Sequence, residues 1–262
     1  MSKRTDSNLY TILFAVGMVL VVGTLLAFFS SSLKPAIDEN KRIEKQQNIL
    51  YAMGVNENDE TSAIFVSKNK VADVFSKYIK EQLVLVTENG KVVKQQNREE
   101  YMAENNKQEP YLIDVKKQQS LEKEGKQRKL PLFVGEKDGN TFYIVPIRGK
   151  GLWDAIWGYI AMDKNMVVQG VYFDHKGETP GLGANIKQRF FMDDFTGEQM
   201  MHNDAFKGIQ VAKGNNDPKN IDKTDNEVDA IAGATITGDG VSAMIKSELK
   251  KYVPFFNTLK LN

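Results

Sequence analysis

Residues 130–175 read LPLFVGEKDGNTFYIVPIRGKGLWDAIWGYIAMDKNMVVQGVYFDH, and this stretch decides the fold. Four runs rich in aromatic and β-branched residues, Leu132–Val134, Thr141–Ile147, Trp157–Met162 and Val167–Phe173, are separated by Asp138-Gly139-Asn140, Arg148-Gly149-Lys150-Gly151 and Asp163-Lys164-Asn165. Runs of that kind form strands and the intervening residues form turns, so the sequence predicts an antiparallel sheet built from hairpins. Upstream, Val71–Leu85 is amphipathic and predicts a helix that gives way to strand near Leu83–Val86. Glu88-Asn89-Gly90-Lys91 follows as a tight hairpin turn, because Asn-Gly accepts the positive φ of a type I′ turn. Lys94–Lys129 is dense in Lys, Glu and Gln and predicts exposed helix or loop. A closing helix is expected from about Val241 to Tyr252, ended by Pro254. Strands and helices are segregated along the chain, which makes the fold class α+β. There is no internal repeat and no low-complexity tract.

Further toward the N-terminus, every residue from Leu9 to Phe29 is uncharged and most are apolar or aromatic. At about 1.5 Å rise per residue such a helix spans the roughly 30 Å of a bilayer hydrocarbon core. Read as a signal peptide its apolar core is too long, and read as a soluble helix it is too apolar all round, so a retained transmembrane anchor is expected. Pro35 to Gly54 then reads as a stalk helix, with Pro35 in the first turn, Ile37, Ile43, Ile49, Leu50 and Met53 compatible with one face, and Gly54 as the stop. Lys3 and Arg4 precede the span while Lys34, Lys41, Arg42 and Lys45 follow it, so charge leaves the topology open.

Composition excludes several kinds of chemistry. Lys and Arg total 35 against 34 Asp and Glu, a formal charge of +1, which gives no electrostatic reason to expect nucleic acid. No cysteine is present, which removes disulfides, thiolate zinc and Fe–S clusters. The only two histidines, His175 and His202, are far apart, so no metal site is expected and redox chemistry would have to come from an organic cofactor.

The most informative stretch for chemistry is Asp229-Ala230-Ile231-Ala232-Gly233-Ala234-Thr235-Ile236-Thr237, ahead of Gly238-Asp239-Gly240 and the closing helix. Gly233 and Ala234 leave the backbone open to a bulky group, while Thr235 and Thr237 place hydroxyls near a helix N-terminus that favours phosphate. On residue chemistry alone, a turn with a helix cap accounts for the stretch better. A second stretch, Gly177-Glu178-Thr179-Pro180-Gly181-Leu182-Gly183, is a shaped loop with N–H groups able to meet a planar ring, or an ordinary Pro-Gly surface loop. A third, Arg148-Gly149-Lys150-Gly151-Leu152-Trp153, offers Trp153 as an aromatic stacking face or as a core residue of the sheet. Lys213 reads as a solvated loop lysine, His175 as an exposed turn residue, and Asp193-Asp194 as a helix start.

Taken together these stretches resemble a known family. Asp229–Thr235 resembles the Asp-x-x-(Ser/Thr)-Gly-Ala-(Thr/Ser) acceptor motif of covalently flavinylated proteins, with Ala232 departing where Ser or Thr is usual. Gly177–Gly183 is similar to the Glu-Thr-Pro-Gly-Leu-Gly loop of the same proteins. Gly149–Trp153 is similar to the Gly-x-Gly-Leu-Trp segment of the NqrC family, which belongs to the Na+-translocating NADH:quinone reductases. Gln46–Gly54 resembles that family's Asn-Ile-Leu-x-Ala-x-Gly stretch. The resemblance implies a covalent FMN, esterified through its phosphate onto Thr235 by a flavin transferase. Trp153, Glu178, Thr179, Pro180, Gly181, Leu182, Gly183, Lys213, Gly233, Ala234 and Thr237 would surround it. It implies a tail over 1–8, a transmembrane helix over 9–29, a stalk and linker over 30–60, and an extracytoplasmic domain over 61–262 with an FMN-binding core at about 130–253. It further implies an electron-transfer subunit of a multisubunit pump in the inner membrane, its soluble domain on the periplasmic side, passing electrons toward quinone with export of Na+. Partners would be the other subunits, the transferase and membrane lipid. The related RnfG flavoprotein of the Rnf complex, with ferredoxin and NAD as its couple, and a cofactor-free anchor or assembly protein are the alternatives. No Gly-x-Gly-x-x-Gly follows a strand, so NADH would be oxidised elsewhere in the pump.

Overall fold

A computed structural model describes residues 7–60, 62–214, 217 and 219–260. Lys3 and Arg4, part of the expected N-terminal tail, and Asn215, Asn216 and Pro218 of the loop after Lys213 lie outside the described residues. Two units divide at residue 42. The first is helical, the greater part of helix α1 (Asn8–Ala52), and it contains an 18-residue window of mean hydropathy 2.7 with no residue buried. It is long and apolar enough to cross a membrane, by length and composition. The separate stalk helix expected from Pro35 does not form as a second element: α1 continues through Pro35. Pro has no backbone N–H to donate and crowds the preceding turn, yet the helix runs on past it.

The second unit, from Ile43 onward, begins with the last turns of α1, whose Ile49, Leu50, Ala52 and Met53 are buried. Then come α2 (Val71–Tyr78), β1 (Ile79–Glu88), β2 (Lys91–Gln96), α3 (Arg98–Glu104), α4 (Val115–Lys123), β3 (Arg128–Lys137), β4 (Asn140–Lys150), β5 (Ala155–Met162) and β6 (Val168–His175). The chain continues through α5 (Arg189–Met192), short strands β7 (Met201–His202), β8 (Ala205–Phe206), β9 (Gln210–Ala212) and β10 (Glu227–Asp229), and helices α6 (Thr235–Leu249) and α7 (Val253–Leu259). Strands β2-β1-β3-β4-β5-β6 form one six-stranded sheet whose pairings are all antiparallel, so the α+β architecture is as the sequence predicts. Asn89 and Gly90, with φ of 50° and 75°, and Asp138 and Gly139, with 51° and 78°, supply the positive φ that the two hairpin turns require.

Register shows why the strands are apolar on both faces. Gly135 lies against Met53 and Gly170 against the Ala52 carbonyl, and both share the face of Phe142 and Ile144. The opposite face carries Gly149 under Met244 of α6, Tyr143 against Phe255 and Phe256 of α7, and Phe173 against Phe191 and Phe195. The sheet is therefore a middle layer, and β5 is buried at all positions but Trp157.

Four local expectations are corrected. The run Arg148–Lys150 is strand rather than turn, because Gly149 lies under Met244; the turn comes one residue later, closed by Gly151 N–H donating to the Asp154 carbonyl at 2.9 Å. The closing helix starts at Thr235 rather than near Val241, with Gly238 and Gly240 inside it. A Cβ on Gly240 would lie 2.4 Å from the Lys150 carbonyl oxygen, so this glycine permits close packing instead of breaking the helix. Pro254 does not merely end that helix; it occupies the first turn of α7. The charged Lys94–Lys129 section is not wholly exposed, since Gln96, Tyr101, Tyr111 and Ile113 are buried.

Candidate functional site

Three segments converge at the first turn of α6: the Gly151–Asp154 turn between β4 and β5, the Gly177–Gly183 loop after β6, and Gly233–Thr237. Their junction is the carboxylate of Glu178, which is 4 % exposed. Its Oε1 accepts from the backbone N–H of Trp153 at 2.9 Å and of Asp154 at 3.4 Å. Its Oε2 accepts from the Thr237 hydroxyl at 2.6 Å, the length of a charge-assisted bond. The Glu178 N–H donates to His175 Nδ1 at 3.2 Å. Burial pushes the Glu178 carboxyl up, but the bonds from Thr237 and from the N–H groups of Trp153, Asp154 and Leu152 outweigh it and hold the group below the usual carboxylate range.

Glycines make this junction possible. A Cβ on Gly151 would lie 2.6 Å from Glu178 Oε1. One on Gly183 would lie 2.5 Å from Thr237 Oγ1 and 2.6 Å from Glu178 Oε2. Gly233 has a φ of 74°, a conformation that costs a side-chain residue strain, and a Cβ there would meet Leu182 at 2.9 Å.

Beside the junction opens a cavity of about 240 Å³ lined by Leu152, Glu178, Thr179, Leu182, Gly183, Gly233, Ala234, Thr235, Ile236 and Thr237. Thr235 is exposed on it, as the first residue of α6, whereas Thr237 is 2 % exposed and faces inward. Leu152, Trp153, Leu182 and Ile236 are 43 %, 67 %, 41 % and 57 % exposed and form an apolar rim. The Trp153 indole N–H donates to Thr179 Oγ1 at 3.2 Å, which ties the rim to the loop. Trp153 is thus a surface residue rather than a core tryptophan of the sheet.

Of the residues singled out from the sequence, Glu178, Thr179, Leu182, Gly183, Gly233, Ala234, Thr235 and Thr237 share the cavity, and Trp153 sits at its edge. Pro180 and Gly181 are exposed in the same loop without lining it. Lys213 is exposed just after β9 and stands outside the lining. Asp193 pairs with Arg189 at 2.8 Å and begins a short helical turn. Ala232 is exposed, so a hydroxyl missing there costs the fold no buried hydrogen bond. Sequence reasoning missed Leu152 and Ile236. Ile236 lies between the two threonines, and its part in the lining emerges only once Thr235 is seen to begin the helix.

The donor set fits a flavin phosphate. The N–H groups of a helix's first turn lack intrahelical acceptors, and their dipole favours an anion. The exposed apolar rim fits a planar ring, and among the described residues no metal-ligating cluster competes with that use.

Comparison with known proteins gives the family of the domain that holds these residues. The FMN-binding domain family matches residues 151–250. A relative from Pseudomonas aeruginosa, the NqrC component of the Na(+)-translocating NADH-quinone reductase, is 28 % identical over 94 % of this chain and 93 % of its own length. Its counterpart from Vibrio alginolyticus is 26 % identical over 92 % of this chain and 90 % of its own. Among solved structures, the same component from Parabacteroides distasonis superposes with a TM-score of 0.65 at 31 % identity, covering 86 % of this chain and 96 % of that one. NqrC of Shewanella oneidensis gives 0.62 at 26 % identity, over 85 % and 99 %.

Proposed function

The chain belongs to the NqrC family of the Na+-translocating NADH-quinone reductases, and on that premise we propose that it carries FMN as a phosphoester on Thr235 and relays electrons within such a complex. The observation that carries this reading is the contrast between two hydroxyls in one helical turn. Thr235 is exposed on the cavity, and Thr237 is buried and bonded to Glu178. FMN supplies one- and two-electron redox chemistry, which none of the side chains of this cysteine-free site provides.

The first turn of α6 would neutralise the phosphate through its N–H groups. At about 240 Å³ the cavity is smaller than the roughly 300–1,000 Å³ usual for whole-ligand sites, so it suits the phosphate end, with the ring against Leu152, Trp153, Leu182 and Ile236. Those side chains would exclude water from one side of the ring. Pro180 and Gly181 would shape the loop, and Lys213 would act at most from outside the cavity.

Other subunits would oxidise NADH, reduce quinone and carry Na+, because a single apolar helix forms no ion path. The domain from about residue 61 would lie on the periplasmic side of the inner membrane, and a flavin transferase would load it from FAD. Thr235→Ala in chain co-expressed with the transferase tests the reading. A colourless, folded variant beside a yellow wild type supports it, and retained covalent flavin would overturn it. Protease accessibility in intact spheroplasts tests the side of the membrane.

A further inference from the structure

The Glu178 carboxylate does more than join loops. It holds the second of two hydroxyls that stand two residues apart in the lining of one cavity. Thr237 Oγ1 donates to it at 2.6 Å, is 2 % exposed, and is backed by Gly183, where even a methyl group would clash with both partners. A carboxylate bonded to a hydroxyl promotes attack only where an electrophile can reach the oxygen, and here the oxygen is covered. Thr235 is on the same turn but exposed.

We propose that Glu178 is a specificity-determining residue for flavin attachment: by holding the Thr237 hydroxyl as a donor inside the cavity wall, it leaves Thr235 as the acceptor. The inference rests on the reading that the flavin is esterified to this chain. In the transfer, the acceptor oxygen bonds to the flavin-side phosphorus of FAD, the phosphoanhydride bond breaks, and AMP leaves with the bridging oxygen. The hydroxyl proton passes to a base of the transferase, and no electrons are exchanged. Glu178 takes no part in those bonds. It stays ionised because its four donors outweigh its burial, and an ionised carboxylate keeps the Thr237 proton directed at itself.

The test uses the full chain co-expressed with a flavin transferase, with peptide mass spectrometry to locate the ester and a thermal melt to confirm folding. Wild type is expected to carry FMN on Thr235 alone, and Thr235→Ala none. In Glu178→Ala the Thr237 hydroxyl is released and uncovered, so the share of ester on Thr237 should rise at least tenfold at the expense of Thr235. Glu178→Gln keeps the side-chain volume and an oxygen for the Trp153 N–H, and should show a smaller rise. Thr235→Ala combined with Glu178→Gln should regain ester, on Thr237. Folded Glu178 variants with ester on Thr235 alone at wild-type occupancy would overturn the proposal. So would folded variants without flavin, or loss of a cooperative melt in both, since either makes Glu178 a residue of the pocket as a whole. A flavin-free wild type would instead sink the covalent reading on which the proposal rests.

Discussion

The two ends of α6 are each fixed by a buried carboxylate, and they differ in what that carboxylate holds. In the last turn, Glu248 accepts from both Nη atoms of the buried Arg128, whose Nη1 also reaches Glu122 at 2.7 Å, while Tyr252 just beyond donates to the Pro131 carbonyl at 3.0 Å. That end is a closed cluster of charges, which Lys251 joins at 3.6 Å from Glu122 and 3.8 Å from Glu248. In the first turn, Thr237 bonds to Glu178, whose other donors are backbone N–H groups, and a cavity with an apolar rim opens beside it. A charge paired with an opposite charge fixes a helix and offers a ligand nothing. A charge held by a hydroxyl and amides leaves the neighbouring surface free to receive one.

The largest effect is expected at the closed end. Arg128→Met takes the two-point guanidinium contact from the buried Glu248 carboxylate and leaves it only Lys251, 3.8 Å away, and should destabilise the apoprotein by about 3–5 kcal/mol in a denaturant melt. The molecules that remain folded should still carry flavin on Thr235. A loss of attachment equal to that of a first-turn variant would dissolve the distinction between the ends.

Glu198 sharpens the comparison from a third position. It is fully buried, with Lys223 Nζ 3.3 Å from Oε1, and burial pushes its carboxyl up to about 7 against the lowering pull of Lys223. The folded state then keeps a proton that the unfolded chain has released, so stability is lost as pH rises from about 4.5 through 7. Glu198→Gln imitates the protonated group. It should melt like wild type near the bottom of that window and gain about 3 kcal/mol over wild type above it. A constant offset across the range would contradict this assignment.

At the open end, Gly183→Ala forces a methyl group into the Glu178–Thr237 bond and should cost about 1–3 kcal/mol, with reduced flavin occupancy. The smallest effect belongs to Trp153→Phe. It removes one exposed indole hydrogen bond to Thr179 and should leave the melt within about 1 kcal/mol of wild type. A larger shift would mean that the rim is part of the core after all.

Much of this was legible in the sequence for identifiable reasons. The four β-branched runs and the Asn-Gly and Asp-Gly turns report local preferences, and local preferences decide strands and hairpins. Gly238 and Gly240 look like helix breakers on their own, so the sequence puts the start of α6 later than it is. The Lys150 carbonyl that makes Gly240 necessary lies ninety residues earlier and leaves no local trace. The same holds within the site. Glu178, Thr235 and Thr237 were visible as members of motifs, but the bond that sets Thr237 apart from Thr235 joins residues 59 positions apart. Lys213 followed from resemblance alone, and the cavity does not include it.

The central claim is that the first turn of α6 is a flavin acceptor with Thr235 as its reacting residue. The most direct measurement is the in-gel fluorescence of denatured full-length chain after co-expression with a flavin transferase, wild type beside Thr235→Ala and Thr235→Ser. The account predicts a fluorescent band for wild type and for the serine variant, and a dark band for alanine. A fluorescent alanine band, or three dark bands with an active transferase, would contradict it.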